Sequence, residues 1–335
     1  MRSAERGLPA RAASLSVDGR FVIVMPVYED VAAVSRLFRE LGTLFGPWAH
    51  VIAVDDGSVR EPLSTQLMTD AGVDGTVVTL RRNVGHQRAI AAGLAYAVEH
   101  FGRRDRCFVT MDSDGEDLPQ SITPLLEALQ PADVDVVVAQ RKRRVETLRF
   151  RAFYQVYKRV FHLLTGRRIS FGNFMAMKPE AARRLVGMEE TGVHVAASVL
   201  AAKLRIAGCP LERGPRYAGR SKLNFVGLAR HGFSGLMVFA EDVLVRVGVA
   251  CAVLAGASIL GAATALLLKL AGLATPGWFS STVGILLLVF LQTGTLTLTM
   301  LMLTGLVRRG SMSAPNYAGL VDKVAHSRAA QELAA

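Results

Sequence analysis

The 335-residue chain is poor in three things: it has 3 cysteines, 2 tryptophans and only 20% charged residues. Cys107, Cys209 and Cys251 show no paired spacing, which excludes a disulfide framework and a cysteine zinc site and agrees with a reducing, cytosolic face. Soluble domains carry about 25% charge. At 20% charged and 51% hydrophobic, this chain is too apolar for a purely water-soluble protein and far too apolar for a disordered one. No GxGxxG follows the first apolar run and no GxxxxGK[ST] occurs anywhere, so no glycine cradle is available for a diphosphate. Residues 1–19 hold no apolar run of signal-peptide length and read as a loose tail.

What is present is unevenly distributed. The net charge is +11, and residues 140–169 hold ten basic residues (Arg141, Lys142, Arg143, Arg144, Arg149, Arg151, Lys158, Arg159, Arg167, Arg168) against Glu146 alone. Such a block points to nucleic acid, anionic lipid or a phosphorylated substrate. From Phe21 onward, short apolar runs alternate with helical spacing. The runs are 21–25, 51–54, 76–80, 107–111 and 134–139, and the helical stretches include Val31–Leu44, Ala89–His100 and Gln120–Leu129. Continuous Val/Ile runs suit strands buried on both faces of a parallel sheet, and the repeated order predicts a doubly wound α/β domain over about residues 20–140.

Residues 247–268 carry no charge, Lys269 interrupts, and residues 270–307 again carry none. Each run reaches the roughly 20 residues a bilayer-spanning helix needs. The link at 270–279 has no Lys or Arg, whereas Arg230, Arg246, Arg308, Arg309 and Lys323 flank the pair. The positive-inside rule then puts the α/β domain and both termini on the cytoplasmic side of the membrane. The expected divisions are a tail at 1–19, a catalytic domain at 20–224, an interfacial helix within 225–245, two membrane helices over 246–309 and a cytoplasmic tail at 310–335.

Ligands of open parallel sheets bind at the carboxyl ends of the strands, and three of those ends carry acids: Glu29 and Asp30, Asp55 and Asp56, and Asp112 and Asp114. Asp30 by itself reads as a helix cap. Asp112 and Asp114 can both offer oxygen to a hard divalent cation. A calcium EF-hand loop would require Glu at its twelfth position, where this chain has Thr123. A Mg²⁺ or Mn²⁺ site bridging a diphosphate is favoured over a plain turn, and a diphosphate held by metal and side chains suggests a sugar nucleotide.

The segments MPVYED (25–30), VDDGS (54–58), RRNVGHQRAIAAGL (81–94) and MDSDGEDLPQSI (111–122) resemble the successive motifs of family-2 glycosyltransferases with the GT-A fold. With RYAGRSKLNF (216–225) and two spans after it, the chain resembles the polyprenyl-phosphate glycosyltransferases over about residues 20–310. The resemblance implies a GT-A catalytic domain with a mostly parallel, Rossmann-like sheet and a C-terminal membrane hairpin. It implies inverting transfer of one sugar from a UDP- or GDP-sugar to a polyprenyl phosphate. It assigns Pro26, Tyr28 and Glu29 to the nucleoside, Asp55 to the base, and places Asp56, Gly85 and Ser113 on the donor side. Asp112, Asp114 and Glu116 become metal ligands and Arg141 an arginine near the phosphates. Arg216, Ser221 and Lys222 become the grip on the acceptor phosphate. A homo-oligomer is implied as well.

The acceptor side is chemically sensible, because a phosphate monoester has its second pKa near 6 and is a ready nucleophile once positioned and neutralised. Phe150, Phe153, Tyr154, Tyr157 and Phe161 recur at helical spacing within the basic block, which predicts an amphipathic helix on anionic lipid rather than a nucleic-acid surface. The chain departs from its relatives at Gly172-Asn173-Phe174-Met175, where Gly-Asp-Phe-Arg is usual, and at Thr191–Ala201, where His194 reads either as a sugar contact or as a packed neutral histidine. Two other readings compete. A processive synthase would need a QxxRW motif, which neither Trp48 nor Trp278 supplies, and a non-catalytic scaffold sits poorly with an intact Asp112/Asp114 pair.

Overall fold

The computed structural model describes residues 20–102, 106–141, 148–218, 225–310 and 316–327. Two compact units divide the chain. The first comprises Met1–Phe153, Ile169–Val238 and Ala314–Ala335, and the second Tyr154–Arg168 and Phe239–Ser313.

The first unit is built on an eight-stranded sheet: β1 (Phe21–Val27), β2 (Ala49–Asp55), β3 (Asp74–Leu80), β4 (Cys107–Thr110), β5 (Val136–Arg141), β6 (Met175–Met177), β7 (Ile206–Leu211) and β8 (Val321–His326). The spatial order is β7-β5-β6-β4-β1-β2-β3-β8. β1 pairs in parallel with both β2 and β4, and β2 with β3, so the central strands are those read from the apolar runs. Successive residues of β1 serve opposite faces: Phe21, Ile23, Met25 and Val27 join one core, Val22 and Val24 the other. This is why the run is continuously apolar rather than alternating. Helices α1 (Val31–Phe45), α2 (Gln66–Asp70) and α4 (Ile122–Ala128) lie on the first face, and α3 (His86–Phe101), α6 (Pro179–Val186) and α7 (Val195–Ala201) on the second. The small residues of α3 permit close approach: a Cβ at Gly93 would lie 2.5 Å from Val54 and 2.7 Å from Val24.

Three strands escaped the sequence reading. β6 has three residues and pairs antiparallel with β4 and β5, while β7 contains Gly208 and Pro210 and lies at the edge. β8 corrects the expectation that residues 310–335 form only a tail. It pairs antiparallel with β3, Ser327 Oγ accepts from the Gly75 amide at 3.0 Å, and Tyr317 is buried.

The second unit contains residues 154–168, which include the later turns of α5 (Leu148–Thr165), together with α9 (Ala240–Leu270) and α10 (Trp278–Gly310). α9 and α10 pack as an antiparallel pair, with Gly261 facing Leu286 and Gly248 facing Met300. At 31 residues, α9 is about 46 Å long, more than a bilayer core of about 30 Å. Both helices are long and apolar enough to cross a membrane, and their large apolar side chains lie outside: Leu260 is 71% and Met302 74% exposed. The hydroxyls of Thr293, Thr295, Thr297, Thr299 and Thr304 each donate to a carbonyl four residues back, so these hydroxyls are satisfied within α10, as hydrocarbon requires.

The expected boundaries also shift here. The stretch 225–245 is broken by a turn at Val238–Phe239, so that α8 (Phe225–Met237) ends before α9 begins. Within the second unit Phe161 is buried edge-on against Phe239, with ring centroids 5.9 Å apart, and Tyr157 lies beside Phe161. The described part of the aromatic stripe therefore faces inward, and the exposed apolar positions of α5 are Val156, Val160 and Leu163 beside Lys158 and Arg159.

Candidate active site

Because β1, β2 and β4 are adjacent and parallel, their carboxyl ends bring the three acid clusters to one edge of the sheet. Two clusters turn out to hold the loops themselves. Asp55 is fully buried, its Oδ1 accepting from the Ser58 amide at 2.9 Å and its Oδ2 from the Leu63 amide at 3.0 Å. The residue expected to meet the base thus has both carboxylate oxygens engaged by amides of its own loop, which it shapes. Glu29 accepts from the amides of Val59, Arg60 and Glu61, contacts that hold its carboxyl below the usual range. Asp56, buried, accepts from the amides of Val84 and Gly85 at 2.7 and 3.0 Å, which fixes the entry to α3; burial raises its pKa nonetheless. Ser113 donates to the Pro26 carbonyl at 2.8 Å, tying the β4 loop to β1. Of the expected nucleoside residues, Tyr28 alone presents a largely exposed side chain, at 42%.

The third cluster is different. Asp112 and Asp114 lie on the loop after β4, and Asp117 holds that loop by accepting from the Asp112 amide. Burial, and then the charge of Asp112, raise the Asp114 pKa, while Arg216, Arg213 and His86 pull it down. His86 Nε2 stands 3.2 Å from Asp112 Oδ1; burial opposes protonation of the ring, but Asp112 outweighs it and the net shift is upward. Asn173, at the departure from the usual motif, places Nδ2 3.1 Å from His86 Nε2, so the residue that replaces a carboxylate is part of the same network.

The segment after β7 lies across this loop. The Tyr217 amide donates to the Asp114 carbonyl at 2.9 Å, and the Gly214 amide to the Glu116 carbonyl at 3.0 Å. Arg216 stands 3.2 Å from Asp114 Oδ2 and 3.8 Å from Asp30 Oδ2. Asp30 occupies the N-cap position of α1 without a side-chain cap, so its carboxylate serves this charge pairing and not the helix. Gly115 has φ +86°, and a Cβ there would fall 2.4 Å from the Tyr217 ring, so only glycine allows the ring to close on the loop. On the ring's other contacts, the Arg36 guanidinium sits 4.1 Å from its centroid and its hydroxyl donates to Glu40.

The carboxylate of Glu116, expected as a further metal ligand, is paired with Arg213 in this structure. Among the described residues no three His, Cys, Asp or Glu side chains gather closely enough to hold a metal unaided. Two carboxylates that disfavour each other's charge are what a hard cation completed by phosphate oxygens requires, since Mg²⁺ typically takes one or two carboxylates plus substrate phosphates. The site therefore fits a divalent ion that arrives with a diphosphate. Gln140, Asn173, Glu212 and Arg213 line a small cleft beside Asp112. Arg141 ends β5 in register with Leu211, its side chain outside the described part, and Ser221 and Lys222 lie outside the described residues. His194 is the N-cap of α7, its Nδ1 accepting from the Ala197 amide, and its ring stacks on His231 at 4.4 Å.

Sequence reasoning assigned no role to His86, Arg213 or Tyr217. Arg213 and Tyr217 flank Arg216, and pairing each loop acid with a nearby cation would have singled out Arg213. His86 sits inside a motif already quoted, but its partner is 26 residues away and only the sheet brings the two together.

The glycosyl transferase family 2 model matches residues 22–190. The chain belongs to glycosyl transferase family 2. It is a glycosyltransferase of the GT-A fold. It is 25% identical over 273 residues to an uncharacterized glycosyltransferase, YkcC, of Bacillus subtilis strain 168, covering 78% of this chain and 81% of that protein. It is 28% identical over 131 residues to the dodecaprenyl-phosphate galacturonate synthase of Rhizobium johnstonii, covering 38% of this chain and 37% of that one. It is 32% identical over 132 residues to an undecaprenyl-phosphate 4-deoxy-4-formamido-L-arabinose transferase of Aeromonas hydrophila, covering 37% and 38%. Glucosyl-3-phosphoglycerate synthase of Mycobacterium tuberculosis, solved with Mn²⁺, UDP-glucose and phosphoglyceric acid, superposes with a TM-score of 0.50 at 17% identity, covering 73% of this chain and 85% of that one.

Proposed function

We propose that this glycosyltransferase moves one sugar from a UDP- or GDP-sugar to a polyprenyl phosphate at the cytoplasmic face of a membrane, with inversion at the anomeric carbon. The observation that carries the reading is the Arg216–Asp114 contact at 3.2 Å, which sets a cation suited to an acceptor phosphate against the acid that would hold the donor. Tyr28 offers an exposed ring to the base, and the loops fixed by Glu29, Asp55 and Asp56 form the floor beneath it. Asp112 and Asp114 would hold a Mg²⁺ or Mn²⁺ ion, which when bound neutralises the diphosphate and stabilises it as a leaving group.

An acceptor phosphate oxygen attacks the anomeric carbon, and the bond from that carbon to the diphosphate breaks. No proton has to be removed from a phosphate already ionised at neutral pH. Arg216, with Ser221 and Lys222, positions the phosphate and offsets its repulsion with the diphosphate. Arg141 serves the same end from the close of β5. Two long apolar helices, basic residues at their outer ends and the named activities of two relatives support membrane anchorage and a lipid acceptor. The exposed apolar positions of α5 beside Lys158 and Arg159 suit contact with anionic lipid. Assembly into a homo-oligomer accompanies this reading.

The test is incubation of the purified full chain in nanodiscs with Mn²⁺ or Mg²⁺, a panel of UDP- and GDP-sugars, and undecaprenyl phosphate. Mass spectrometry should find one lipid-linked monosaccharide, with anomeric configuration opposite to that of the donor. Absence of lipid-linked product from every donor would overturn the proposal.

A further inference from the structure

The acceptor-side arginine does not face open solvent. It is the counter-ion of a donor-side acid, and the way it is mounted suggests that this pairing is temporary. Its backbone is fixed: the Tyr217 amide is bonded to the Asp114 carbonyl, and the Tyr217 ring is wedged between Gly115 and the Arg36 guanidinium. Its guanidinium is under-used. A guanidinium has five donors; here one nitrogen approaches Asp114 and Asp30, and the buried Nε has no hydrogen-bond partner among the described residues.

We infer that Arg216 is a resident counter-ion of Asp114, and that a divalent cation exchanges with it there, freeing the guanidinium for an anion on the acceptor side. Tyr217 is the pivot of that exchange, because it holds the main chain while the side chain beyond it turns. The physical basis is competition: Asp114 Oδ1 already accepts from the Glu116 amide, and Oδ2 is the oxygen that Arg216 approaches. A cation that takes Oδ2 removes the partner of the guanidinium. Donor and cation would then load before the acceptor phosphate finds its full set of donors. The exchange at Asp114 rests on the metal reading above, and the acceptor half rests also on the proposed function.

The experiment uses Mn²⁺ with saturating UDP, which supplies the diphosphate that completes the site, and follows the protein-bound ion by electron paramagnetic resonance on the full chain in detergent. Arg216→Gln should bind Mn²⁺ more tightly than wild type, by about threefold to tenfold, the span expected when a half-buried ion pair no longer competes. Arg216→Lys, which keeps the charge, should stay near wild type. With Mn²⁺ and UDP at saturation, inorganic phosphate should bind wild type more tightly than Arg216→Gln. Circular dichroism establishes that each variant is folded. Should Arg216→Gln fail to fold, Tyr217→Ala takes its place: releasing the pivot should tighten Mn²⁺ binding in the same direction.

With UDP present, Mn²⁺ binding that Asp114→Asn leaves intact, or no Mn²⁺ binding by wild type, would overturn the metal reading and the inference with it. Binding that Asp114→Asn abolishes but Arg216→Gln leaves equal or weaker would overturn the inference alone. Neither result depends on finding the donor sugar.

Discussion

Asp55→Asn distinguishes a loop-holding carboxylate from one that reads a base. Asp55 is fully buried and each oxygen accepts one amide hydrogen, from Ser58 at 2.9 Å and Leu63 at 3.0 Å. Asparagine keeps one acceptor and turns the other into an NH₂ group facing an N–H donor. One charge-assisted bond is lost, worth about 1.5–3 kcal/mol, and a buried amide left without a partner costs about 1–3 kcal/mol. Together they centre on about 4 kcal/mol. At about 2–4 °C per kcal/mol for a domain of 150–250 residues, the melting temperature should fall by about 8–16 °C. The assay is thermal unfolding of the full chain in detergent at fixed scan rate, without nucleotide, with UDP and GDP affinities measured below the transition. A variant that melts within about 2 °C of wild type while nucleotide affinity collapses would refute this account and restore Asp55 as a base contact.

Other expectations follow from single contacts. Gly115→Ala places a Cβ 2.4 Å from the Tyr217 ring at φ +86°, so it should cost about 1–3 kcal/mol and raise KM for acceptor more than for donor; equal KM values would exclude the wedge role. Burial, and then the neighbouring His231, hold His194 down to about 3, so it stays neutral in the fold while the unfolded chain gains a proton below pH 6.5. Its contribution is therefore present above pH 6.5 and lost as pH falls toward 3, by up to about 1.4 kcal/mol per pH unit. His194→Asn, which can still cap α7, should flatten the fall in melting temperature between pH 6.5 and 5; His86, whose pKa is raised, works in the opposite direction in both proteins. Removal of residues 316–335 strips β8 from β3 and bares an edge carrying Val77, Val78 and Leu80. Size-exclusion chromatography should then show aggregation, and a monodisperse profile would refute an edge-protecting role. Phe161→Ala empties a buried aromatic site against Phe239 and should cost about 3–5 kcal/mol, read as loss of thermal stability.

The sequence alone determined the central strands, because a strand covered on both faces must be apolar at every position, as Phe21–Val27 is. It determined the two apolar helices for an equally local reason, since a span of hydrocarbon tolerates no charge over about 20 residues. It also brought Asp112 and Asp114 forward, because acids that follow parallel strands share one edge. It could not show β6, three residues long, or β8, whose Val-Asp-Lys-Val-Ala-His becomes a strand only beside the open edge of β3. Nor could it separate the acids that hold loops from those that face the site. Asp55 and Asp114 read alike as letters, yet one spends both oxygens on backbone amides of its own loop and the other meets a guanidinium 102 residues away. Local pattern decides what a segment can become; which partner a charge finds is decided by the sheet that sets distant segments side by side.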